Sequence, residues 1–131
     1  MSDPDMSDAD RTPALRAAAR YLEHVNARHD MRPLFAEDAV FLAATGEVFH
    51  GRDAIGTYFD GHLSSIEPTL RARTIVADGD HAVMELELLV EGSAWHLAAA
   101  DHFTVDEDGR ITRLAVFGRP PRAELDAITS A

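Results

Sequence analysis

Trp95-His96-Leu97-Ala98-Ala99-Ala100-Asp101-His102-Phe103 reads as a strand with a single charge on one of its faces. Side chains alternate along a strand, so Trp95, Leu97, Ala99, Asp101 and Phe103 lie together. Asp101 is the charged member of that set. A carboxyl among apolar neighbours either finds a partner or stays protonated. Enzymes use both states, as acids, bases and oxygen-binding groups. The structural alternative is an Asp near a strand end that touches water and caps a loop.

The segments around this strand repeat its period. Ala82, Met84, Leu86, Leu88 and Val90 alternate with Val83, Glu85, Glu87, Leu89 and Glu91, which predicts a strand buried on its even face. Leu70 to Ala77 is a strand before it, joined through Asp78-Gly79-Asp80. Glu91-Gly92-Ser93 turns into the Asp101 strand. Asp106-Glu107-Asp108-Gly109 is a turn leading to a last strand from Ile111 to Phe117.

The first half of the chain has helical spacing. Thr12-Pro13 reads as an N-cap with proline at the first helical position. Leu15, Ala18, Leu22 and Val25 then carry a helix to about Ala27, with Tyr21 beside them. Pro33 to Ala36 predicts a very short helix, Glu37-Asp38 a turn, and Ala39–Leu42 and Glu47–His50 two short strands. Gly51-Arg52-Asp53 opens a helix on which Ile55, Tyr58, Phe59 and His62 share a face. Helices first and an antiparallel meander afterwards make an α+β domain.

The chain has 131 residues, the size of one domain. Apolar residues make up 46% and charged residues 27%, as in ordinary globular proteins. A net charge of −11 argues against nucleic acid or an anionic membrane as partner. No apolar run has the length of a membrane span. Without cysteine there is no disulfide, thiolate metal site or cysteine nucleophile. We expect a cytoplasmic protein with a disordered acidic leader over residues 1–11, one domain over 12–121 and a tail over 122–131, where Arg122–Ile128 forms a loose helix.

Helices packed on one face of a twisted sheet leave room for a cavity between the layers. The face with Met84, Leu86 and Leu88 should join the face with Trp95, Leu97, Asp101 and Phe103 to wall it. Tyr21 projects into the same space from the first helix. A phenol and a protonated carboxyl there would be two donors for one ligand oxygen. For Tyr21 the structural reading is a core tyrosine with its hydroxyl at an edge. His50 would sit at the rim, where an imidazole suits proton transfer near neutral pH, or simply bond the backbone at the helix entry. The seven histidines lack metal-ligand spacing, and no phosphate loop or nucleophile elbow occurs, so no metal and no cofactor are expected. His96 and His102 fall on the opposite face with Ala98 and Ala100, a surface suited to a homodimer. Glu85 or Glu87 can pair with Arg71 or Arg73 across strands.

Four segments carry a resemblance. Arg20-Tyr21-Leu22-Glu23-His24-Val25-Asn26, Leu34-Phe35-Ala36-Glu37-Asp38-Ala39-Val40, Phe49-His50-Gly51-Arg52-Asp53-Ala54-Ile55, and Asp101-His102-Phe103 through Asp108-Gly109-Arg110-Ile111 resemble the nuclear transport factor 2-like superfamily in its SnoaL-like branch. The likeness covers roughly Leu15 to Pro120. It implies a cone-shaped, strongly curved mixed β-sheet closed by N-terminal helices around an internal pocket, and dimers through the outer sheet face. Within the superfamily the chain looks most like ketosteroid isomerase. That resemblance places the donor tyrosine at Tyr21 and the donor aspartic acid at Asp101. An auxiliary tyrosine falls at Phe59, with Tyr58 one step earlier. The general base falls at Ala43, which has no group to move a proton. His50 would then carry the proton, or Asp101 itself would be the ionised acid/base, as in polyketide cyclases.

The resulting expectation is a small-molecule pocket protein: a cofactor-free isomerase, cyclase or dehydratase acting on a hydrophobic carbonyl compound. Tyr21, Asp101 and His50 would be catalytic. Tyr58, Phe59, Met84, Leu86, Leu88, Trp95, Leu97 and Phe103 would line the ligand. The alternative is a non-catalytic domain that binds a ligand or a partner.

Overall fold

The computed structural model describes residues 12–90 and 96–119, with only the backbone of 96, 97 and 119. Thr12 starts the first helix as its sequence predicts. Its backbone is extended, its Oγ1 accepts the Leu15 N–H at 3.1 Å, and Pro13 follows. Helix α1, Pro13–Ala27, buries Ala14, Ala17, Ala18, Tyr21 and Val25 on one stripe. It stops at Arg28, whose backbone is left-handed (φ 60°). The guanidinium holds that strained residue by donating to the carbonyls of Val25 and Pro68. Asn26 ties the same end of the helix to the sheet. Its amide donates to the Leu70 carbonyl at 2.9 Å and its oxygen accepts the Leu70 N–H at 2.7 Å.

The expected short helix from Pro33 to Ala36 is a single 3-10 turn, Arg32–Leu34. Phe35 already belongs to strand β1, Phe35–Leu42. Glu37-Asp38 is therefore not a turn between elements. The two residues sit exposed inside β1, where its register against the last strand shifts between Phe35 and Val40. Strand β2, Val48–His50, pairs back on β1. Gly51, at φ 94°, then turns the chain into helix α2, Arg52–Ile66, and its N–H bonds the Ala39 carbonyl at 2.8 Å. Ile55, Phe59 and Leu63 form the buried stripe of α2.

The remaining strands are β3 (Pro68–Asp78), β4 (His81–Val90), β5 (His96–Val105) and β6 (Ile111–Arg119). They make an antiparallel meander, and β6 lies parallel to β1. Among the described residues the sheet has six strands in the order β2-β1-β6-β5-β4-β3. Among those residues it is open, with β2 and β3 at its edges, and the two helices lie on this mixed sheet. Asp106 shapes the β5–β6 turn, its Oδ1 accepting the N–H groups of Asp108 and Arg110. Between β3 and β4 the register slips at Ala72/Thr74. Across it Glu87 pairs with Arg71 at 2.7 Å and Arg73 at 2.5 Å, as the sequence suggested for that strand pair.

The two predicted faces meet as expected. Asp101 stands opposite Met84, Ala99 opposite Leu86, and Phe103 opposite Ala82. This is the inner face, and α1 and α2 bury their apolar stripes against it. The turn expected at Glu91–Ser93, the leader, the tail and its Arg122–Ile128 helix lie outside the described residues, as does Trp95. None of the described helices is long and apolar enough to cross a membrane.

Candidate functional site

Asp101 is 2% exposed, and it is the one polar or charged residue in the buried core of the described chain. Its position follows from strand parity. The residue between Ala100 and His102, which face outward, must face the helices. Its Oδ1 is buried with no hydrogen-bond partner. Such an atom is costly unless a proton or a ligand satisfies it. Burial pushes the carboxyl up to about 7, opposed in part by a hydrogen bond from the Tyr21 hydroxyl. Near neutral pH Asp101 therefore exists in both protonated and ionised forms.

Tyr21 is 5% exposed. Its ring sits edge-on to Phe103 (5.2 Å between centroids) and to Phe59 (6.1 Å), which fixes the direction of the hydroxyl. Burial first, then the charge of Asp101, raises its pKa well above the usual phenol value. Tyr21 thus stays a neutral donor.

Both residues line a cavity of about 170 Å³ between the helices and the sheet. The walls are largely apolar. Phe59, Tyr58, Leu86 and Leu88 contribute to them, joined by Ala99 from β5 and Val116 from β6. Met84 and Phe103 do not reach it. Both are fully buried in the core on the correct face, and Phe103 packs against Tyr21. Leu97 pairs with Leu88 through its backbone, and its side chain, like all of Trp95, lies outside the described residues.

His50 is misplaced by the sequence reading. It is exposed on the edge strand β2, opposite Val40, and is not part of the cavity wall. The histidine that does line the cavity is His62 on α2. Its imidazole stacks on Tyr58 at 5.3 Å and 13°. Burial lowers its pKa below the usual imidazole value. The signal was present in the sequence, because His62 lies four residues after Tyr58 and three after Phe59 on one helix face. Phe41, Thr45 and Leu70 also line the cavity without having been anticipated. Ala43 is buried at the end of β1 and places no titratable group there.

Neutral donors (Tyr21, protonated Asp101), an ambivalent carboxyl and a neutral imidazole in an apolar cavity are the parts needed to hold an oxygen and move a proton. Among the described residues no group of His, Asp and Glu is arranged to hold a metal ion.

Solved structures share this architecture. A steroid delta-isomerase from Pseudomonas aeruginosa superposes with a TM-score of 0.68 at 21% identity, over 91% of this chain and 96% of that one. A protein from Mycobacterium tuberculosis in complex with estradiol-17β-hemisuccinate gives 0.68 at 21%, over 82% and 94%. A nuclear transport factor 2-like protein of unknown function from Mesorhizobium loti gives 0.74 at 15%, over 85% and 95%. No curated protein matches the chain. The SnoaL-like domain matches residues 18–114, which include Tyr21, His62 and Asp101. The chain belongs to the SnoaL-like domain family.

Proposed function

We propose that this protein binds a small hydrophobic carbonyl compound and acts on it as a cofactor-free isomerase, cyclase or dehydratase. One observation carries the reading: Asp101 Oδ1 is buried without a partner on the wall of an apolar cavity, next to the Tyr21 phenol. A carbonyl or enol oxygen placed there would satisfy the orphaned carboxyl when it is protonated. Once Asp101 is protonated, the Tyr21 hydroxyl, which donates to the carboxylate in the empty cavity, would turn to the ligand oxygen, and the two donors would stabilise negative charge developing there. The steroid delta-isomerase and the estradiol-hemisuccinate complex among the structural relatives are consistent with such ligands. The cavity matches one aromatic ring in size, since an apolar cavity of about 150 Å³ accommodates benzene, and its open side leaves room for a second.

A second reading has its own observation. Ala43 stands where the resemblance puts the base, which suits a pocket that binds without catalysis. Both readings require the oxygen site. Titration calorimetry with 2-naphthol tests it. Tyr21→Phe and Asp101→Asn should each weaken binding by about tenfold, the value of a hydrogen bond in a poorly solvated site. Unchanged affinity in both variants would refute the site.

The outer sheet face is our proposed homodimer surface. Phe117 (61% exposed) and Val83 (38%) stand on it beside Ala100, His102 and Glu85, a largely apolar patch exposed among the described residues.

A further inference from the structure

The oxygen site alone cannot isomerise anything, because a proton must also leave carbon. We propose that His62 is the proton carrier of this cavity, taking the proton from the carbon beside the carbonyl whose oxygen Tyr21 and Asp101 hold. This rests on the oxygen-site reading above and adds the missing half of the chemistry.

The geometry singles out His62. It lines the same cavity as Tyr21 and Asp101. Tyr58, stacked one helical turn earlier, fixes the plane of the imidazole. Its ring nitrogens are engaged by no hydrogen bond from a described residue, so they are free to meet a substrate. The groups facing the cavity are Tyr21 from α1, Tyr58 and His62 from α2, and Asp101 from β5. Glu47, in the loop before β2, acts on Tyr58 by its charge. Burial keeps both phenols protonated. Asp101 is committed to the oxygen, and His50 is outside. Burial of His62 keeps its imidazole neutral, the form that accepts a proton.

The step balances without any other reagent. The C–H bond breaks and its proton bonds the bare ring nitrogen of His62. The C–H electron pair becomes the C=C bond of the enolate. The carbonyl π pair moves onto the oxygen, which Tyr21 and protonated Asp101 hold. The imidazolium then returns the proton, to the same carbon in exchange or to a conjugated carbon in isomerisation.

The test uses the full chain and 2-tetralone in deuterated buffer, with hydrogen exchange beside the carbonyl followed by NMR. The protein should speed exchange above the buffer rate. His62→Gln should lower that acceleration by about 100-fold or more, the usual share of a general base. The same variant's affinity for 2-naphthol should fall by far less than its rate. Imidazole added to His62→Ala should restore part of the rate. The pH profile should rise as the imidazole loses its proton and fall through about pH 7 as Asp101 ionises. Wild-type exchange in His62→Gln overturns the proposal. So does a rate that rises through pH 7, which would make Asp101 the base. Tight 2-naphthol binding with no exchange in the wild-type protein overturns the role of His62 and leaves the oxygen site standing. Failure to bind 2-naphthol removes both.

Discussion

Asp101→Asn should reverse its effect on stability as the pH rises. The carboxyl titrates near 3.8 when exposed and at about 7 in the folded protein, because burial disfavours its charge. Between those values the folded state holds a proton that the unfolded state has released. Stability therefore falls as pH increases, by ~1.4 kcal/mol for each pH unit. Across the whole window the loss is ~4 kcal/mol, a large part of the 5–15 kcal/mol that holds a typical domain together. Asparagine cannot ionise, so the variant lacks this slope. It carries instead a constant cost of about 1–3 kcal/mol for an imperfectly paired buried amide. The variant should then be the less stable protein at pH 4 and the more stable one at pH 8. Urea denaturation of both proteins at pH 4, 5, 6, 7 and 8 measures this. Subtracting the two curves removes every other titrating group. A difference that stays within 1 kcal/mol from pH 4 to 8 would show that Asp101 is not a buried, proton-holding carboxyl, and the oxygen site would lose its basis.

Two further outcomes test the frame around the site. Asn26→Ala removes both bonds between α1 and Leu70 and should cost about 1–3 kcal/mol by thermal or urea denaturation. A loss below 0.5 kcal/mol would mean that the helix which carries Tyr21 is anchored elsewhere. Phe117→Glu puts a charge on the outer apolar patch and should convert a dimer to a monomer in sedimentation velocity; a wild-type protein that sediments as a monomer at every concentration would refute the dimer surface.

Much of the architecture was readable from periodicity. Alternation over 82–90 and 95–103 gave the inner face, and strand pairing confirms its members at Met84–Asp101 and Leu86–Ala99. Thr12 and Gly51 marked helix starts because each meets a local backbone demand. What periodicity cannot give is depth along a face. Ala99 is small and leaves space before it, whereas Phe103, four residues on, packs on Tyr21 and fills the core. Hence Leu86 and Leu88 became cavity wall and Met84 did not. His50 lies near the vacant base position in sequence, but edge-strand pairing turns it to solvent. His62 was visible as a member of the Tyr58–Phe59 face, yet only the packing of α2 on the sheet shows that this face borders a cavity. Glu37-Asp38 looked like a turn because two acidic residues seldom sit inside a strand. The register shift in β1 lets them stay there and remain wet.

The open sheet has a consequence for how the protein behaves among its own copies. Among the described residues the eleven-residue strand β3 has no strand beyond it; Arg28 and Asn26 occupy the backbone groups of Pro68 and Leu70 on that side, and the later residues offer theirs to any other extended chain. Three features make that offer a poor one. Pro68 begins the strand and lacks an N–H, the slip at Ala72/Thr74 breaks the straight ladder, and Arg71 and Arg73 bring positive charge to the border. At the other border β2 is only three residues long, too short to seed an extended ladder. The arginines that pair with Glu87 thus also act as guards against fibril-like growth, and the protein keeps its sheet unclosed without inviting strangers to extend it.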